Sequence, residues 1–185
     1  MIYVFIINGG KKMINNACCV LDYSFRKYDS FNAHEIGKIQ KKFKGELEEL
    51  LKKEHSVKFI SGMNIGFEMF AAETVLELKE HYKNIIFECA LPDELQAVGW
   101  SEGDRESYYN ILGKCDIENF ISKRAYIDNI KKRNKYMLSS SKNVFIFTDI
   151  PNFLHNKLDT VNNKNYIIID TSLKNNPNKV KLKSV

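Results

Sequence analysis

Residues 57–81, VKFISGMNIGFEMFAAETVLELKEH, constrain the fold more than any other stretch of the chain. Val57 to Ile60 is a short apolar run of strand character. Ser61-Gly62-Met63-Asn64-Ile65-Gly66 then forms a turn, and a helix follows to about Tyr82, with Met69, Ala72, Val75, Leu76 and Lys79 around it. A strand running through a glycine turn into a helix is the unit from which parallel α/β sheets are built.

The flanking sequence repeats that alternation. Ala17 to Leu21 reads as a buried strand, and Ile36, Ile39, Phe43, Leu47, Leu50 and Leu51 then recur at helical spacing with Lys and Glu between them. That pattern predicts an amphipathic helix of about six turns. Ile85 to Leu91 is a third strand, stopped by Pro92, and a loop with Gly99 and Gly103 follows. The pattern goes on with a helix at 104–114, a strand from Ile117 to Ser122, a helix from Tyr126 to Ser140 and strands at Val144–Thr148 and Tyr166–Ile169. The expected fold is α/β and Rossmann-like, with a mostly parallel sheet and helices on both faces. Residues 14–172 make a single domain. Residues 1–13, with Ile2 to Ile7 as a strand and Asn8-Gly9-Gly10 as a turn, are an additional edge strand or an extension. Residues 173–185 are a basic flexible tail: from Lys174 onward it holds four lysines and three asparagines.

Composition excludes several classes. The 185 residues are 44% hydrophobic and 28% charged, an ordinary globular balance. The net charge of +5 comes from 28 basic and 23 acidic residues mixed along the chain, which permits nucleic-acid contact without requiring it. The longest apolar run is too short to span a bilayer, and no signal-peptide pattern precedes it, so a cytoplasmic protein with no membrane partner is expected. Cys18, Cys19, Cys89 and Cys115 show no C-x-x-C spacing and sit among apolar residues, as buried free thiols do. Cys18 and Cys19, adjacent in a strand, point to opposite faces.

Three segments could carry chemistry. Gly62, Met63, Gly66 and Glu68 lie where a strand ends and a helix begins. Glycines there let a backbone approach a ligand closely, and the helix N-terminus favours an anion. The same residues also suit a plain tight turn, with Glu68 serving the helix dipole. Glu94, Gln96 and Trp100 follow the third strand and so share that edge. Trp100 could stack on a base or plug the core. Arg133 and Asn134 sit in a lysine-rich helix, where Arg suits bidentate phosphate contact if it faces the crevice. The four histidines are scattered, and there is no H-E-x-x-H, Walker-type loop or G-x-S-x-G elbow. No catalytic residue, metal or cofactor is assigned.

Taken in order, Gly62-Met63, Gly66, Glu68, Ala71-Ala72-Glu73, Val75 to Tyr82, Pro92, Glu94, Gln96, Trp100, Ile111-Leu112, Asp116, Arg133-Asn134 and Tyr136-Met137 resemble the YpsA-type branch of the SLOG superfamily. That superfamily includes the DNA-processing protein DprA and the LOG phosphoribohydrolases. The resemblance covers roughly residues 17–149. It implies a Rossmann-like fold binding a nucleotide-derived ligand in a regulatory or adaptor role, most often in Gram-positive bacteria, with a homodimer as a further implication. Two alternatives follow from its other branches: a DprA-like single-stranded DNA binder and a LOG-like nucleoside monophosphate phosphoribohydrolase.

The chain departs from the family pattern at three places. The family's first strand usually runs into F-T-G-H-R-P, whereas Cys18-Cys19 is followed by Val20-Leu21-Asp22-Tyr23-Ser24-Phe25. Glu68 replaces the usual Asp. After the fifth strand, Thr148-Asp149-Ile150-Pro151-Asn152 carries no glycine, and the LOG motif P-G-G-x-G-T-x-x-E is absent. The expected site is therefore a partly degenerate pocket.

Overall fold

The structure, a computed structural model, describes residues 16–150 and 164–173. The strand and turn expected within residues 1–13, and the tail expected from Lys174, lie outside the described residues, as does the chain from Pro151 to Asn163.

Among the described residues, six strands form one sheet: β1 (Ala17–Asp22), β2 (Val57–Ser61), β3 (Ile85–Leu91), β4 (Ile117–Phe120), β5 (Asn143–Thr148) and β6 (Asn165–Asp170). Their spatial order is β4-β3-β2-β1-β5-β6, and every pairing is parallel. The sheet is thus all-parallel where the sequence predicted a mostly parallel one. Among the described residues, four α-helices connect the strands: α1 (Ala33–Lys53), α2 (Phe67–His81), α3 (Glu102–Leu112) and α4 (Asn129–Ser139).

Chain direction decides which face each helix covers. From β1 to β4 each strand is added on the same side of the last, so right-handed crossovers put α1, α2 and α3 on one face. The chain then returns across the sheet to place β5 on the other side of β1, and α4 falls on the opposite face. The two cores follow this division. One gathers Phe43, Leu47, Phe70, Val75 and Tyr108 against Cys18, Phe59, Phe87 and Phe145, and the other gathers Met137 against Cys19, Ile60, Ala90, Val144 and Ile146. Cys18 and Cys19 therefore do face opposite sides.

Local signals set the helix boundaries. α1 begins three residues before the first apolar position because Asn32 and Glu35 form a reciprocal capping box. α3 starts behind Ser101, whose side chain accepts from the Asp104 amide, so the helix lies two residues earlier than the apolar pattern alone suggests. α4 opens at Asn129 rather than Tyr126. β4 is short and its burial poor, as befits an edge strand.

α2 is buried around most of its circumference, from Phe67 through Leu78. It rests on β1, β2 and β3 between α1 and α3. Phe67, its first residue, stacks on Phe147 of β5 with ring centroids 4.8 Å apart and planes 8° from parallel. That contact fixes the start of α2 beneath the carboxyl ends of β1 and β5. Strand order reverses between these two strands, the position where open α/β sheets form their ligand crevice.

Candidate ligand crevice at the carboxyl edge of the sheet

The β2–α2 turn is an unusual piece of backbone. Met63 has φ 61° and Gly66 has φ 103° with ψ −136°. The second conformation is accessible essentially to glycine alone. Ser61 holds the turn from inside: its hydroxyl accepts from the Met63 amide at 3.2 Å and donates to the Glu68 carbonyl at 2.9 Å.

Arg133 reaches this turn from α4. Its side chain is fully buried. Nη1 donates to the Gly62 carbonyl at 2.8 Å and to Asn64 Oδ1 at 3.1 Å, while Nε and Nη2 both donate to Asn134 Oδ1, at 3.0 and 2.8 Å. Nη2 also lies 3.5 Å from Glu68 Oε1, and Glu68 Oε2 accepts from the Asn64 amide at 3.1 Å. Gln96 completes the cluster by donating to the Gly62 carbonyl at 2.9 Å. A Cβ at Gly62 would stand 2.6 Å from Arg133 Cζ and 2.7 Å from Glu68 Oε2. Glycine is needed there so that an internal ion pair can close over the backbone.

Burial pushes the Glu68 carboxyl above its usual range, against the opposing pull of the Arg133 guanidinium and the Asn64 amide. Asp22, at the end of β1, is also raised by burial, and the nearby Asp149 adds to the shift. Asp22 Oδ1 accepts from the Ser24 amide at 2.9 Å, and Oδ2 accepts from the Phe67 amide at 3.3 Å, at the N-terminus of α2. Asp149, just past β5, takes the Phe25 and Arg26 amides on its two oxygens, each at 3.0 Å. The Arg26 guanidinium is turned toward Glu35, donating to both carboxylate oxygens at 2.9 Å, and lies over the Phe31 ring.

Of the residues expected at the site, Gly62, Glu68, Gln96, Arg133 and Asn134 come together as one contiguous cluster. Gly66 forms its rim next to Asp22. Met63 is fully buried in the main core. Glu94 is exposed in the turn after β3. Trp100 turns toward α3 and packs edge-on against Tyr108, with centroids 5.3 Å apart. Residues that the sequence reasoning passed over are equally central: Asn64, Asp22, Asp149, and the Asn129–Asp93 pair, joined at 2.9 Å, which ties the β3 loop to the start of α4. Asp22 and Asp149 could have been flagged, since each stands at the carboxyl end of a strand beside the reversal of strand order.

The side chains gathered at this edge are carboxylates held by the chain's own amides and a buried guanidinium held by carbonyl and carboxylate oxygens. Among the described residues no group of three His, Cys, Asp or Glu side chains could hold a metal ion. No described helix is long and apolar enough to cross a membrane.

Comparison with known proteins agrees with this architecture. A family model described as the YspA SLOG family matches residues 25–171. A UPF0398 protein of Brevibacillus brevis is 32% identical over 134 residues, covering 66% of this chain and 71% of that protein. A UPF0398 protein of Halalkalibacterium halodurans is 28% identical over 131 residues, covering 64% of this chain and 69% of its own length. With the family match spanning most of the chain and the sheet order and glycine turn in place, this protein belongs to the YpsA-type SLOG family.

Proposed function

We propose that this protein binds a nucleotide-derived small molecule in the crevice at the carboxyl ends of β1, β2 and β5 and acts through that binding as a regulatory or adaptor protein. The observation that carries the reading is the convergence of Gly62, Glu68, Gln96, Arg133 and Asn134, drawn from three separate segments, on the one edge of the sheet where such folds take ligands. Maintaining a buried ion pair and a strained turn at that edge costs stability, and such costs concentrate at functional sites. The pocket is partly degenerate because Arg133 is committed to holding the turn and cannot also clasp a phosphate.

The two alternatives draw less support. A hydrolase needs an acid free to act at a glycosidic bond. Glu68 is locked to Arg133 and Asn64, and Glu73 is exposed on α2. A single-strand DNA binder would lose Arg133 as a phosphate contact and depend on Lys131, Lys132 and Lys135, which are exposed along α4. Lys131 lies near Asp128, and Lys132 lies over the Tyr126 ring.

A thermal-shift panel of nucleobases, nucleosides, nucleotides and dinucleotides tests the proposal. Stabilisation by at least one compound, saturable with concentration, is the expected result. A flat response to the whole panel contradicts it.

A further inference from the structure

Cys89 and Cys115 come from different segments that the sheet brings together. Successive residues of β3 alternate between the two faces of the sheet. Phe87, Cys89 and Leu91 belong to the core under α2 and α3, whereas Ala90 belongs to the core under α4. Cys115 lies in the connection between α3 and β4. The Cys115 amide donates to the Leu112 carbonyl at 3.2 Å, which closes the end of α3. The following residue is fastened to β3 twice: the Asp116 amide donates to the Phe87 carbonyl at 2.9 Å, and the Phe87 amide donates to Asp116 Oδ2 at 2.6 Å. Lys79 of α2 pairs with the same carboxylate. β4 then runs parallel to β3, with Glu118 opposite Cys89. The connection is held from α3, α2 and β3 at once, and Cys115 packs against the same core as Cys89. There the two thiols are in hydrogen-bonding contact.

The pair is asymmetric. Cys89 is fully buried, while Cys115 is only partly buried and is the member that a small solute can reach. Their contact favours the thiolate on the Cys115 side and the protonated thiol on the Cys89 side. The reactive form of sulfur therefore stands at the accessible end. Cys18 and Cys19 differ on both counts. Both are fully buried, and as neighbours in β1 they face opposite sides of the sheet.

We propose that Cys89 and Cys115 form a dithiol that a small peroxide oxidises reversibly to an intramolecular disulfide. The Cys115 thiolate attacks one oxygen of hydrogen peroxide. An S–O bond forms, the O–O bond breaks, and the departing hydroxide takes a proton to become water, leaving Cys115 as a sulfenic acid. The Cys89 sulfur then attacks the Cys115 sulfur. The S–S bond forms, the S–O bond breaks, and the second hydroxide leaves as water with the proton of Cys89. Two thiols lose two electrons in all, and one peroxide is reduced to two waters. Exchange with an external dithiol reverses the change.

The modification falls at a sensitive place in the fold. It would join β3 covalently to the end of α3. Cys89 also stands opposite Ser61 in the β2–β3 register, and the Ser61 hydroxyl holds the β2–α2 turn through the Met63 amide and the Glu68 carbonyl. The chemistry belongs to the thiols themselves and does not depend on any ligand of the crevice.

Peptide mapping of the unsubstituted full chain tests the proposal. Reduced protein is exposed to equimolar hydrogen peroxide, denatured in N-ethylmaleimide, and weighed intact and as non-reduced peptides. The number of maleimides added is expected to fall from four to two, with one peptide linking Cys89 to Cys115. Dithiothreitol before alkylation should restore all four. In Cys89→Ser, with its fold checked by thermal melting, Cys115 should stop at the sulfenic acid and be captured by dimedone. Cys115→Ser should keep its three thiols through the same treatment. Four free thiols after peroxide, a disulfide between two chains, a link to Cys18 or Cys19, or a Cys115 sulfinic acid with no linked peptide would overturn the proposal. The map of the unsubstituted chain decides the matter even where a serine variant fails to fold.

Discussion

The Arg133 guanidinium lies directly over the Cα of Gly62, close enough that a Cβ there would meet Arg133 Cζ at 2.6 Å while Arg133 Nη1 donates to the Gly62 carbonyl at 2.8 Å. Glycine and arginine, 71 positions apart in the chain, are thus one device, and each explains the other's presence.

Gly62→Ala should therefore cost far more than a glycine substitution usually does. The methyl group displaces a buried guanidinium and a buried carboxylate together, so a loss of about 1–3 kcal/mol is expected from urea unfolding. Gly37→Ala in α1 is the control. Nothing lies within 4 Å of a Cβ at that position. The gain there should approach the helix-propensity difference of about 1 kcal/mol.

Arg133→Met leaves Glu68 buried without its cation, and unfolding should show a loss of about 3–5 kcal/mol. Glu68→Gln added to that background removes the orphaned charge. The double variant is expected to recover part of the loss, a non-additivity that an independent pair would not show.

Asp22 gives the crevice a pH signature. Its folded-state pKa stands above the ordinary 3.8, chiefly through burial. The folded state thus binds the proton more tightly than the unfolded chain does. Stability from this group is full below 3.8 and is lost as pH rises through the raised value. Glu68 contributes with the same sign, from an ordinary value of 4.5. Asp22→Asn removes one of these penalties. Its stability relative to the unsubstituted protein should improve as pH is taken from about 4 to 7. A constant difference across that range would show that Asp22 does not titrate as described.

The four thiols should differ sharply in reactivity. Burial raises Cys18, and pushes Cys19 up to about 12. Cys89 is raised by its contact with the Cys115 thiol and by burial, whereas that same contact lowers Cys115, which is only partly buried. The thiolate is the reactive form. Iodoacetamide on the native protein should therefore add one group, at Cys115, and four after denaturation, as read by mass spectrometry of the intact chain and its peptides.

The fold was legible because its signals are local and periodic. The 57–81 unit, the ACCVL and VFIFT runs and the α1 stripe each state their own structure. The resemblance to the SLOG superfamily held for the same reason, since it rests on this framework. The candidate site was legible only as a location. Position at strand ends and in one basic helix picked out Gly62, Glu68, Gln96 and Arg133, but residue type could not say that Arg133 points inward to serve the turn. Nor did it reveal Asp22 and Asp149. Their roles depend on amides at Phe67, Phe25 and Arg26 that only the folded chain brings beside them. Trp100, which the sequence leaves open between stacking on a base and plugging the core, packs its ring on Tyr108.

The most direct test of the crevice is an amide NMR titration of the ¹⁵N-labelled full chain with the same panel of nucleobases, nucleosides, nucleotides and dinucleotides. Saturable shifts confined to residues 22–26 and 62–67 are predicted, and the indole signal of Trp100, the chain's one tryptophan, reports whether the β3 loop takes part. Shifts gathered instead along the lysines of α4, or none with any compound of the panel, would contradict the account.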